Sequence, residues 1–291
     1  MQSTDRMVTQ VKINPYTKRN VSGMSIIEIL IGVALGLILL VALYSLLVSN
    51  KQTYSSARAN TELMSTGQQV SQLITTFVQQ AGFRNYARVK GNSFLPTETV
   101  TIANTSISWQ EKQPLYVLNN AVATHSLIKT GTDAIFLHFT GSNNSDTIPD
   151  AIRTLMNPVP AANAADGSII NCTGTGLTNN AATIALFIAK DNTLHCADSS
   201  GSDVVIADNI ENMQIRINSG NASYVPATGT IDWTTVTNVE IGLLLAKPYD
   251  ASITYSAGDI SLLDESIAIT DSGKLRISIV SNVMIRNQLT Q

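Results

Sequence analysis

Cys172 and Cys196 are the two cysteines of the 291-residue chain, and His125, His138 and His195 are its three histidines. If the region holding the cysteines is exported to an oxidising compartment, an even pair separated by 24 residues suggests a disulfide; the alternative is two unpaired thiols. A metal site built with His195 fits poorly, because His195 and Cys196 are adjacent and no second pair exists. His125 and His138 stand alone. His138 lies opposite Phe139 across an alternating run, which predicts a surface or edge position. Asp146/Asp150 and Asp264/Glu265 could meet a cation, although such spacings are ordinary in solvated loops, and Asp133 ahead of a strand reads as a turn residue. No G-x-S-x-G, P-loop or H-E-x-x-H motif occurs. The chain thus carries no enzyme signal, and no metal or cofactor is expected. Glu28 is the residue that stands out. It interrupts an apolar run that begins at Met24, MSIIEILIGVALG. A carboxylate at the edge of hydrocarbon is costly and by default a functional candidate. The plainer reading is a boundary residue in the headgroup zone.

The elements around these residues differ sharply in solvent. From Ile29 to Val48 the sequence reads ILIGVALGLILLVALYSLLV without a charge, and a helix of that length spans about 30 Å, the hydrocarbon thickness of a bilayer. Gly32 and Gly36 are compatible with such a helix and could let another approach closely. No second stretch of this kind exists, so a single pass is expected. The preceding segment holds Arg6, Lys12, Lys18 and Arg19 against one acid, Asp5, giving it net +3 within a chain of net −3. Positive flanks stay cytoplasmic, which places the N-terminus inside and the C-terminal region outside. Nothing like an A-x-A cleavage site follows Val48.

Beyond the span, Val70, Leu73, Ile74, Phe77, Val78 and Ala81 fall at helical spacing, with Leu63 and Met64 extending the stripe upstream. Gly82 is a C-terminal stop signal. A helix from Ser25 to about Gln80 would be about 84 Å long. After Phe83 the pattern changes to short strand-like runs: Leu115–Leu118, Ala134–Phe139, Thr183–Ala189, Val204–Ala207, Met213–Ile217, Val239–Leu245, Ile267–Thr270 and Leu275–Val280. The expected fold class is α+β, a long N-terminal helix packed on an antiparallel sheet. Residues 143–178, rich in Ala, Asn, Gly and Pro, read as a long loop or insertion.

Only 13% of the residues are charged, about half the usual share, while Asn, Ser and Thr number about 80. A polyelectrolyte disordered chain is excluded by the 44% hydrophobic content. Net charge −3 and a pI near 5.6 offer no footprint for nucleic acid, and no direct nucleic-acid binding is expected.

The basic stretch ending Lys18-Arg19, then Gly23, then Met24-Ser25-Ile26-Ile27-Glu28 and an apolar helix, resembles the processing site of type IV prepilins. That resemblance implies cleavage by a prepilin peptidase between Gly23 and Met24, N-methylation of Met24, and Glu28 as the glutamate of subunit assembly. It also implies a pilin-like fold, with a removed leader (1–23), a membrane and stalk helix (24–82) and an exported head (83–291). The post-membrane run, VIADNIENMQIRI with the following NVEIGLLLAKP, and the C-terminal RISIVSNVMIRNQL resemble PilW-type minor pilins. The implied partners are other minor pilins, the major pilin, the inner-membrane assembly platform and the inner membrane itself. The implied location is the inner membrane before assembly, head in the periplasm, and the pilus or cell surface afterwards. Two alternatives remain open from sequence: a minor pseudopilin of a type II secretion system, and a signal-anchored periplasmic protein of unrelated function.

Overall fold

The computed structural model describes residues 23, 25–84, 95–144, 148–178, 180–220, 223–248, 258–271 and 273–287. Met24, Asp146 and the leader ahead of Gly23 lie outside the described residues. The chain divides into two compact units, Met1–Lys51 and Gln52–Gln291.

One helix, α1, runs Ile26–Gln80, 55 residues with no proline and no glycine beyond Gly32, Gly36 and Gly67. The buried positions of its second part are Ala59, Leu63, Gly67, Val70, Ile74, Phe77, Val78 and Gln80, which follow the i, i+4, i+7 spacing of one helical face. Leu73 and Met64, counted in the sequence stripe, stay on the exposed side. The helix ends where Gly82 adopts φ +74 and gives its N–H to the His138 carbonyl. A Cβ there would sit 3.1 Å from Pro114 and 3.3 Å from the Asn287 carbonyl, so space as well as φ calls for glycine. Asn287 Nδ2 donates to the carbonyls of Gln79 and Ala81, satisfying acceptors that a helix end otherwise leaves bare.

Among the described residues the second unit has thirteen strands, and all their pairings are antiparallel. The hairpin β1 (Thr99–Ile102) and β2 (Thr105–Ser108) comes first. A five-stranded meander follows: β3 (Leu115–Leu118), β4 (Ala134–Thr140), β5 (Ala181–Ile188), β6 (Leu194–Asp198) and β7 (Asp203–Ala207). Within the insertion between β4 and β5 lies a short helix, α2 (Asp150–Arg153). A second sheet takes β8 (Ile210–Asn218), β9 (Val225–Pro226), β10 (Asn238–Pro248) and β13 (Lys274–Met284), in the order β13-β10-β8-β9. The hairpin β11 (Asp259–Leu262) and β12 (Glu265–Ala268) completes the set.

The fold class is the expected α+β, a long N-terminal helix followed by an antiparallel β domain, but among the described residues the one expected sheet is two sheets with two separate hairpins. The helix stripe, Leu115, Ile135, Leu137, Ile184 and Leu186 of the first sheet, and Ile215, Ile241, Leu243 and Leu245 of the second form one core. Gly67 makes the close approach possible: a Cβ there would lie 2.0 Å from Ile279 Cδ1 and 3.4 Å from Leu245 Cδ1. A second core fills the other face of the first sheet, where Phe136, Ala185 and Phe187 meet Ile102, Ile107, Trp109 and Ile128.

That second core corrects the reading of His138. Its side of β4 is covered by the β1–β2 hairpin, so the ring is fully buried, stacked on Trp109 at 4.7 Å with Glu98 3.1 Å from Nε2. Burial pushes its pKa down to about 4. Asp133 is likewise no turn residue. Its backbone N–H donates to the Met213 carbonyl, and its carboxylate accepts the N–H groups of Asn120 (2.8 Å) and Ile215 (2.7 Å), pinning the first sheet to the second. Burial, with the nearby carboxylates of Asp264 and Glu265, raises its pKa to about 7, despite the two N–H groups that favour the charge.

Candidate functional site

The N-terminal part of α1 is where the residues lack an internal explanation. Gly23 and Ser25 are exposed, and the Ser25 carbonyl accepts the N–H groups of Glu28 (2.9 Å) and Ile29 (3.3 Å), starting the helix. Glu28 is exposed in the first turn, where a carboxylate favours the positive end of the helix dipole. Ser25-x-x-Glu28 also has the spacing of a capping box. Among the described residues Glu28 has no side-chain partner. From Ile29 onward no charge occurs until Lys51, and large apolar side chains stand uncovered, with Leu30 63%, Ile38 65% and Val41 69% exposed. An 18-residue window of α1 reaches mean hydropathy 2.9 with none of it buried, so the helix is long and apolar enough to cross a membrane. Exposing such a cylinder to water costs about 25 cal/mol per Å² of apolar surface, which demands lipid or other helices around it. Among the described residues nothing lies within 4 Å of a Cβ built on Gly32 or Gly36, so none of them makes use of the small size of these glycines.

The other sequence-marked residues fall in the second unit. Cys172, in the insertion, and Cys196, in β6, form a disulfide with Cα atoms 5.5 Å apart. Cys196 is fully buried, so the bridge fastens the 143–178 segment to the first sheet. His195 binds Asp203 through Nδ1 at 2.7 Å and Thr193 through Nε2 at 2.9 Å, which engages both ring nitrogens. Asp150 pairs with Arg153, and Glu265 accepts from Asn120 Nδ2 at 2.7 Å. His125 accepts the Val122 N–H at 3.4 Å, within its own loop. Among the described residues no group of three His, Cys, Asp or Glu could hold a metal ion.

The geometry also contains residues that sequence reading passed over. Glu62 of α1 pairs with Lys247 of β10, which fastens the second part of the helix to the second sheet. Glu211 is gripped by Lys274 at 2.7 Å and by Arg276 at 2.7 Å. Burial works against its charge, yet these bonds outweigh it and hold the carboxyl below its usual range. Gly67 had a signal that could have found it: it fills the vacant position of the stripe Leu63, Val70, Ile74.

No protein-family model and no curated protein matches the sequence. Among solved structures, the chain is similar to the type IV-like pilin TTHA1219 from Thermus thermophilus. That similarity has a TM-score of 0.44 at 9% identity, covering 78% of this chain and 97% of that one.

Proposed function

We propose that the chain is a minor pilin of a type IV pilus. In this reading it inserts with its N-terminus in the cytoplasm, is cut by prepilin peptidase between Gly23 and Met24, and is N-methylated at Met24. It then enters the filament through α1, in the PilW-like role of initiating assembly or standing at the tip, and it has no catalytic activity of its own. Adhesion, twitching motility and DNA uptake would depend on it indirectly. The observation that carries the reading is the first part of α1: a bare apolar helix headed by Gly23 and Glu28, continuous with a stripe that packs a folded head.

The chemistry gives Glu28 a reason to exist. Cleavage would leave a charged amine on Met24. A subunit passing from lipid into packed helices carries a carboxylate that is costly unless paired, and the amine of an adjoining subunit is an available partner. Such a pair also fixes axial register, as one buried polar group does in a coiled coil. The local alternative, a helix cap, separates cleanly. Gln caps a first turn about as well as Glu but brings no charge. Glu28→Gln is therefore expected to insert normally and fail in assembly as Glu28→Ala does. Full incorporation of the Gln variant into sheared filaments would leave Glu28 a mere cap. Processing itself is tested by mass spectrometry of the chain recovered from the cell envelope. An N-methylated Met24 is expected, and an intact Gly23–Met24 bond would defeat the proposal.

A further inference from the structure

Between the β11–β12 hairpin and the outer face of β8 lies a cavity of about 430 Å³, within the size range of small-ligand sites. The hairpin stands over the second sheet because Gly242 of β10 makes room for it. A Cβ there would lie 3.0 Å from Leu262 Cδ1, in a residue 1% exposed. The floor includes Gln214, 1% exposed, whose amide orientation is set by its surroundings. Its Nε2 donates to the Gly131 carbonyl at 3.1 Å and to Asn212 Oδ1 at 2.9 Å, so the oxygen cannot trade places with it. That oxygen, Oε1, is buried and meets no donor among the described residues. An unmet buried acceptor is destabilising, and a donor brought to it would relieve that cost.

The hairpin wall offers backbone. Leu262 and Glu265 close a two-residue turn and form its hydrogen-bonded pair, and pairs of this kind alternate along an antiparallel ladder. Ser266 and Ala268 therefore turn N–H and C=O away from β11. Both residues line the cavity, and among the described residues no strand pairs with that edge of β12.

Charge narrows the ligand. The lining holds Glu211, Glu265 and another acid, Asp271, against Lys129 and Arg276. Both cations are engaged: Lys129 Nζ donates to Asn192 Oδ1 at 2.6 Å and the Glu211 carbonyl at 2.7 Å, while Arg276 is bound by Glu211 and Asp271. An anion would meet a surplus of carboxylate, and no three-ligand cation cluster exists among the described residues. What the walls share is donors and acceptors in close alternation, the pattern a hydroxyl satisfies because it is both.

We propose that this cavity binds a saccharide unit, an uncharged hydroxyl-rich ligand held by the backbone edge of β12, the Glu265 carboxylate and the amide at Gln214. With no aromatic ring in the lining to stack on a pyranose face, affinity is expected in the millimolar range. The test is saturation-transfer NMR on the full-length chain in a detergent without a sugar headgroup. The probes are glucose, galactose and N-acetylglucosamine, with acetate as the anionic control. Saturable transfer to at least one sugar is expected, with none to acetate and at least a tenfold loss in Gln214→Leu. Because Gln214 is buried and its loss could disturb folding, Ala268→Phe is the second variant. Ala268 is exposed and lines the cavity, so the ring would fill the site from its rim. Silence from all three sugars, equal transfer to acetate, or sugar binding undiminished in folded Ala268→Phe would each overturn the assignment.

Discussion

The two parts of α1 share a backbone and differ in what surrounds them. In the first, Leu, Ile and Val point in every direction and none is covered; in the second, polar residues fill the surface and one stripe is buried. Three glycines expose the contrast. Gly32 and Gly36 have open space beside them, while Gly67 is pressed against Ile279 and Leu245. A helix that uses a small residue internally belongs to a folded core. One that leaves two of them idle, four residues apart, presents a surface for other helices or for lipid.

The largest effect that could break this comparison lies in the second unit alone. Replacing Cys172 and Cys196 by serine opens a loop of 24 residues and is expected to lower the stability of the second unit by about 3 kcal/mol. Thermal denaturation of the full chain in detergent measures it, and an unchanged midpoint would mean that the bridge constrains nothing. Insertion of the first part of α1 is expected to be untouched. Next in size is Gly67→Val, which overfills the contact with Ile279 and should cost about 1–3 kcal/mol in the same assay. Gly32→Val and Gly36→Val are expected to leave the midpoint within about 0.5 kcal/mol, as substitutions away from packed features do. Equal midpoint losses for Gly32→Val and Gly67→Val would erase the distinction between the two parts.

How much of this was legible beforehand varies by element. The helix could be read almost to the residue, because hydropathy, helical spacing and Gly82 agree. Strands β3, β4, β5 and β10 announced themselves as apolar runs. The hairpin β1–β2 did not: TVTI and TSIS are short and half polar, and they become strands by lying on Phe136 and Phe187. Without that cover, alternation alone puts His138 at the surface. Alternation tells which side of a strand a residue takes, but not whether a distant segment closes over that side. Asp133 failed for a related reason, since its partners Asn120 and Ile215 come together only when the second sheet forms. The cavity beside Gln214 had no sequence signal at all, being made from a hairpin, a loop and a strand from distant parts of the chain.

Those two misread residues supply the most discriminating effect. His138 is pushed down to about 4 from 6.5, so unfolding takes up a proton between those values, and its contribution to stability is lost as pH falls through that window. Asp133 is raised to about 7 from 3.8, so the native state holds a proton that the unfolded chain releases, and stability falls as pH rises from about 4 to 7. Between pH 5 and 6.5 the two slopes oppose each other. Acids held below their usual range, such as Glu211 and Asp271, act at lower pH. The native chain is therefore expected to show a nearly flat stability across this interval. Asp133→Asn should uncover a rise with pH, and His138→Phe a fall, each on the order of 1 kcal/mol per pH unit. Urea midpoints at pH 5.0, 5.75 and 6.5 measure both slopes, and parallel profiles for the two variants would show that these buried groups do not titrate against each other. No comparable slope belongs to the first part of α1, where no ionisable side chain but Tyr44 lies between Glu28 and Lys51.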